Sequence, residues 1–249
     1  EAILTGLYEV IERDAFVIFW LNILSKPSLD IKNFDSPFNI NFENGIWRFM
    51  NITSDINIPV IFGVNIGPFQ FGTVVGVGAA ARLNPKEAFQ KVVIEISQAR
   101  PYLRYELSRR PRWFPLEDFS NINTFEDHAV VYSKAPEHIE NAFSFFMKSN
   151  QQESLERLPN LDTGSPLGNI KKILKVIAGA GYDVIVVNLT TPDIEEIGLY
   201  VVRVIIPGFI PLHGNHLYPF LGGERLYKVP LKLGHPPTKR LNFYPHPFP

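Results

Sequence analysis

The sequence predicts an α/β fold with mixed, mainly antiparallel sheets packed against helices, and three observations carry that expectation. Two β-branched runs, IPVIFGVNI (58–66) and FGTVVGVGAAA (71–81), follow one another at hairpin distance. An amphipathic helix with a marked start opens at Asn84. A helical pattern over 168–179 then leads through a Gly-rich turn to two further apolar runs, DVIVVNL (183–189) and LYVVRVIIPG (199–208).

Taken in order, EAILTGLYEVIERDA reads as helix, and AFVIFWLNIL after Asp14 is apolar on every side, which marks a helix enclosed by protein. SKPSLD breaks it at Pro27, and 31–47 mixes Asn, Phe and Pro in the manner of a loop. After the two β runs, Asn84 is the expected cap, Pro85 the first helical residue and Glu87 the N3 partner of a capping box. Ala88, Phe89, Val92, Val93 and Ile96 form the apolar face of that helix. Glu87, Lys91, Glu95 and Gln98 form the polar one, and Pro101 is expected to end it. LEDFSNINTFEDHAVVYS reads as loop and short helix, and 183–189 and 199–208 as buried strands. Beyond Pro211 the pattern is that of loops, and 1–115 and 116–249 are the expected sub-units.

The 249 residues are 45% hydrophobic and 20% charged, enough for a sizeable core. A formal net charge of −1 gives no field over the whole molecule, so neither nucleic acid nor a membrane is expected as a partner. Without cysteine, disulfides and thiolate metal sites are excluded and a cytoplasmic location is expected. The apolar run Ala15–Leu24 is too short to span a bilayer. The sequence begins at a glutamate inside a helical pattern and reads as part of a longer chain.

Several constellations could carry chemistry. On the opening helix Glu1, Glu9 and Glu12 fall within an arc of roughly 80°, with Arg13 just outside it. Three acids against one arginine leave uncompensated charge. A structural ion-pair network and a Mg²⁺ site completed by a nucleotide both satisfy it, and the excess of acid favours Mg²⁺. GVGAAA (76–81) looks like a dinucleotide loop, but its helix starts too late, and close strand packing explains it better. His213 and His216, with His235 or Glu224, could offer ligands to zinc, although loop histidines are common. Arginines 100, 104, 109, 110 and 112 among Tyr102, Tyr105 and Trp113 resemble a single-strand binding surface, but a solvated face is the commoner reading. Arg100 can point inward, toward a structural partner or a phosphate. The terminal Pro245, Pro247 and Pro249 make a stiff tail. It is either an exposed ligand for a partner's groove or a rigid terminus held in a fixed place.

EAILTGLYEVIERDAF, EAFQKVVIEISQARPYLR, DHAVVYS, VIVVNLTTPDIEEIGLYVVRVIIPGFIPLH, GGERLYKVP and the final PHPFP together resemble the C-terminal portion of YcaO-domain proteins. The likeness is greatest to the SagD-like branch that forms azolines. This resemblance implies a YcaO-like fold and an ATP-dependent cyclodehydratase that converts Cys, Ser or Thr of a ribosomal precursor peptide into thiazoline or oxazoline. It implies ATP and Mg²⁺ as cofactors, Glu1, Glu9 and Glu12 as metal ligands, and Glu1, Arg13, Gln98 and Arg100 as ATP contacts. Pro245, Pro247 and Pro249 would place the tail at the reaction centre. The implied partners are the precursor peptide, a ThiF-like leader-binding protein, a flavin dehydrogenase and a second copy in a homodimer. The family's upstream Ser and Glu motif is missing from this sequence, so the chain alone is expected to bind Mg-ATP weakly or not at all and not to cyclise peptide. A non-catalytic docking module and a thioamide-forming YcaO are the alternatives.

Overall fold

The opening helix, α1 (Ala2–Leu21), is buried at every residue from Asp14 to Leu21, as its uniformly apolar second half requires. The computed structural model describes residues 1–30, 45–69, 72–147 and 151–249. Of the loop expected over 31–47, residues 31–44 lie outside the described residues. Ile46 and Trp47 begin a strand.

Strands β1 (Ser28–Asp30), β2 (Ile46–Asn51), β3 (Val60–Phe69), β4 (Gly72–Ala81) and β5 (Gln152–Ser154) form one sheet in the order β4-β3-β2-β1-β5. All neighbours are antiparallel except β1 and β5, so the sheet is mixed. The predicted hairpin is β3–β4, with Val60 opposite Ala81. Helix α1 packs on one face of this hairpin, against Phe62, Val64, Val75, Val77 and Ala79. Helix α2 (Pro85–Arg109) covers the other, where Phe89, Val92, Val93 and Ile96 meet Ile61 and Ala80. Burial on both faces explains why β3 reads as a nearly unbroken apolar run.

Asn84 Oδ1 caps α2 by accepting the Lys86 N–H at 3.0 Å, and Glu87 bonds the Asn84 side-chain amide at 3.2 Å. The reciprocal half of the expected capping box is therefore side chain to side chain. Pro101 does not end the helix, which continues for two further turns to Arg109. Leu103 and Leu107 bury against Val74, Ala129 and Val130. That packing outweighs a cost of about 3 kcal/mol for an interior proline.

Thr124 and Asp127 form a full capping box for α3 (Phe125–Lys134). The single turns α4 (Ile139–Ala142) and α5 (Ser144–Met147) follow. Next come α6 (Pro166–Gly179), β6 (Ile185–Asn188), α7 (Pro192–Glu196) and β7 (Val202–Ile205). Strands β6 and β7 pair antiparallel in a separate two-stranded sheet. The expectation of buried strands fails here. Val204 packs into the core beside α1, but Ile185, Val186, Val187 and Ile205 are exposed. The loop reading beyond Pro211 also misses α8 (Arg225–Lys232), whose Leu226 and Val229 are buried. Asp14 of α1 fixes α8 through Arg225, at 2.7 Å with both groups buried, and Arg225 also reaches Asp55 at 2.8 Å. A proline at position 230 and a short length hide this helix from periodicity arguments, while a tertiary ion pair anchors it.

Candidate active site

Among the described residues β4 is the last strand of its sheet, and its open edge faces a cavity of about 290 Å³. Glu9, Glu12 and Arg13 of α1 line one side; Glu95, Gln98, Ala99 and Tyr102 of α2 line another. Pro247, Phe248 and Pro249 complete the wall. An unpaired strand edge leaves backbone N–H groups to satisfy, and the acids do this. Glu95 Oε2 accepts the Ala79 N–H at 3.2 Å, and Glu12 takes the Ala81 N–H. A Cβ on Gly78 would sit 2.8 Å from the Val92 carbonyl oxygen. Glycine there lets α2 lie close enough for Glu95 to reach β4, so GVGAAA serves close packing within a strand and does not open a helix.

Three carboxylates therefore share the cavity with one arginine. Arg13 pairs with Glu9 at 2.5 Å, and Glu95 is held by Lys91 one turn earlier. Among the described residues no cation forms an ion pair with Glu12, on which Arg13 acts only as a weaker counter-charge, and its pKa is pushed well above the carboxylate range. Burial is the main cause, with the Glu9 and Glu95 charges adding to it. Such a group favours either a proton or a hard cation. Among the described residues no group of three His, Asp or Glu side chains is placed to hold a metal ion. A Mg²⁺ ion here would rest on one or two of these carboxylates and complete its shell with water and phosphate oxygens. An arginine at the same rim suits the phosphates.

Of the residues singled out in the sequence, Glu9, Glu12, Arg13, Gln98, Pro247 and Pro249 line this cavity. Glu1, Arg100 and Pro245 do not. Glu1 lies about 80° around the helix from Glu9 and eight residues away, about 12 Å along the helix axis. It is an exposed residue at the helix start. Gln98 and Arg100 are separated by about 200° around α2, so one cavity cannot receive both. From the sequence Glu95 reads only as part of the polar face of α2. Its i, i+3 relation to Gln98 was the available signal, but the open edge of β4 that draws both inward is a tertiary feature.

The tail is threaded through the protein and is not an exposed ligand: Pro245, His246 and Pro247 are buried. Trp20 Nε1 donates to the Tyr244 carbonyl at 3.0 Å, and the Tyr132 hydroxyl donates to that of Pro245 at 2.5 Å. Phe248 packs edge-on against Phe16 at 4.5 Å between centroids. The zinc reading of His213 and His216 is not supported. These residues cluster with His128 and His246, not with His235 or Glu224. His128 and His246 stack with planes 3° apart, so their lone pairs run side by side and do not converge on an ion. The arginine run is partly structural as well: Arg110 pairs with Glu106 and Asp127, and Arg109 lies over Tyr105.

Residues 1–210 match the family described as YcaO cyclodehydratase, ATP- and Mg²⁺-binding. No curated protein matches the chain. Among solved structures, a heterocyclase in complex with substrate and cofactor superposes with a TM-score of 0.76 at 25% identity, over 100% of this chain and 31% of the other. The heterocyclase TruD gives 0.73 at 25% identity, over 99% and 32%. YcaO from Methanopyrus kandleri, bound with AMPPCP and Mg²⁺, gives 0.58 at 20% identity over 84% and 52%, a likeness of fold. The chain thus spans about a third of the two heterocyclases. With the family match extending over most of its length and the same mixed sheet and helices in those heterocyclases, this chain belongs to the YcaO family.

Proposed function

We propose that this chain is the C-terminal part of an ATP-dependent peptide cyclodehydratase that forms thiazoline or oxazoline from Cys, Ser or Thr. The observation that carries the reading is the cavity with three carboxylates, one arginine and the proline tail in its wall. Glu12, with Glu9 or Glu95 beside it, would hold Mg²⁺ through one or two carboxylates. Arg13 would meet phosphate oxygens, and Gln98 the nucleotide. When bound, Mg-ATP supplies the phosphoryl group that makes the former amide oxygen of the cyclised peptide a leaving group. The chain's own contribution is positional and electrostatic: acids that concentrate divalent charge, and a cation beside them. Pro247–Pro249 approach the same space on a backbone with little freedom to lose, which suits a group that must meet the peptide in one geometry.

The expected partners are the precursor peptide and a ThiF-like leader-binding protein, with a flavin dehydrogenase and a second copy as further candidates. The decisive experiment uses the full-length protein with its partner and precursor, and follows loss of water from the peptide by mass spectrometry. Glu12→Ala should abolish cyclisation. Removal of Pro247–Pro249 should collapse turnover while leaving ATP binding largely intact. Cyclisation that survives Glu12→Ala would instead assign the chain a docking role.

A further inference from the structure

We propose that His128 and Tyr132 on α3, together with the side chain of His246 itself, are positioning residues that set the path by which Pro247–Pro249 enter the acidic cavity. This inference rests on the cyclodehydratase reading for its effect on turnover, but the clamp itself is a matter of geometry. Three successive anchors fix the tail just before it emerges. The Tyr132 hydroxyl holds the Pro245 carbonyl at 2.5 Å. His128 Nδ1 lies 2.8 Å from the His246 carbonyl, and His246 Nε2 lies 2.7 Å from the His213 carbonyl. A carbonyl oxygen only accepts, so both ring nitrogens must carry protons, which assigns the tautomers. The two rings stack at 3.8 Å between centroids, and His213 closes the stack edge-on at 4.8 Å.

The arrangement explains why a tail rich in proline is held by imidazoles. Prolines at 245, 247 and 249 lack N–H donors, so the segment offers mainly carbonyls. A buried carbonyl needs a donor from outside the segment. His128 and Tyr132 lie four residues apart on one face of α3 and meet successive tail carbonyls. His246 locks the opposite side through its own ring. Immediately afterwards the chain passes from buried Pro247 to exposed Pro249 at the cavity. The last three residues are thus aimed by a rigid hinge of two stacked rings.

Ring isosteres distinguish positioning from simple packing. An asparagine amide reproduces a donor at Nδ1, and a glutamine amide one at Nε2. In full-length protein, His128→Leu and His246→Asn should lower kcat about a hundredfold with the KM for ATP nearly unchanged, since a displacement of about 1 Å has that effect on rate. His128→Asn and His246→Gln should recover most of it. Tyr132→Phe, which keeps the ring and removes only the hydroxyl, should lower kcat in the same direction even if the leucine variant folds poorly. Hydrogen exchange at the His246 and Phe248 amides should quicken in His128→Leu and Tyr132→Phe and stay slow in His128→Asn, whether or not the protein cyclises peptide. Equal exchange and equal kcat in the leucine and asparagine variants would overturn the positioning role. A wild-type protein that never cyclises, yet shows the predicted exchange pattern, would sink the cyclodehydratase reading and leave the clamp standing.

Discussion

At the scale of single residues, Glu12 shows most directly how a site conflicts with stability. Burial and two neighbouring acids disfavour its charge, while the Ala81 N–H needs an acceptor. Glutamine supplies that acceptor without charge. Glu12→Gln should therefore leave the ion-free protein as stable as wild type or about 1 kcal/mol more so, while lowering cyclisation by about 10²–10³-fold. Thermal melts beside turnover assays would show it, and a destabilised glutamine variant would contradict the electrostatic account. Arg225 should behave in the opposite way. Its removal by Arg225→Met strands the Asp14 carboxylate in the core and should cost about 3–5 kcal/mol. Asp55 keeps Lys232 at 2.9 Å, so Asp14→Leu combined with Arg225→Met should recover most of that loss in denaturant titrations. At this scale the sequence disclosed Glu9, Glu12 and Arg13, because their spacing on one helix is local. It did not disclose Glu95 as a partner, or Asp14 with Arg225, because those pairings span 83 residues or more and depend on how elements dock.

At the scale of elements, legibility followed the same division between local and tertiary causes. The β3–β4 hairpin and the start of α2 are written in alternating turn and cap residues. The far end of α2 is not, since Pro101 argues for a stop that Leu103 and Leu107 override. Pro101→Ala tests that balance. Alanine restores an N–H able to bond the turn before it and relieves the ring clash, which is worth up to about 3 kcal/mol. It also loosens the unfolded chain, a loss of about 0.4–1 kcal/mol. The helix should gain roughly 1–2 kcal/mol on balance in equilibrium unfolding. A net loss would contradict that balance of costs. The exposed β6–β7 face shows the converse case. Its apolar run matches a buried strand, but the pattern cannot tell which neighbour does the burying, and among the described residues Val204 is buried while Ile185, Val186, Val187 and Ile205 are exposed.

Across the whole molecule, the tail ties α1, α3 and the 213–216 loop into one unit, and its histidines make that unit sensitive to acid. His128 is lowered to about 3 and His213 to about 4, chiefly by burial, and His246 is held well below its ordinary value for the same reason. Phe16, Phe125 and His216 pack against these rings, and Asp118 lines one cavity with His213, His216 and His246. In the unfolded chain each histidine returns to about 6.5. Between that value and the folded one, the unfolded state binds more protons, so stability must fall as pH falls. The slope is about 1.4 kcal/mol per pH unit for each histidine that remains neutral in the folded state. Glu12 and Asp14, both raised chiefly by burial, work in the other direction, because their folded forms take up a proton more readily than the unfolded ones. His216 and His235 are lowered like the other three, so two carboxylates stand against five histidines. Denaturant unfolding at pH 7, 6 and 5 should therefore show stability dropping steadily below pH 6.5, with a gentler slope in His128→Asn. A profile flat from pH 7 to 5 would mean that the imidazoles accept protons in place, and that the tail is held by something other than neutral rings.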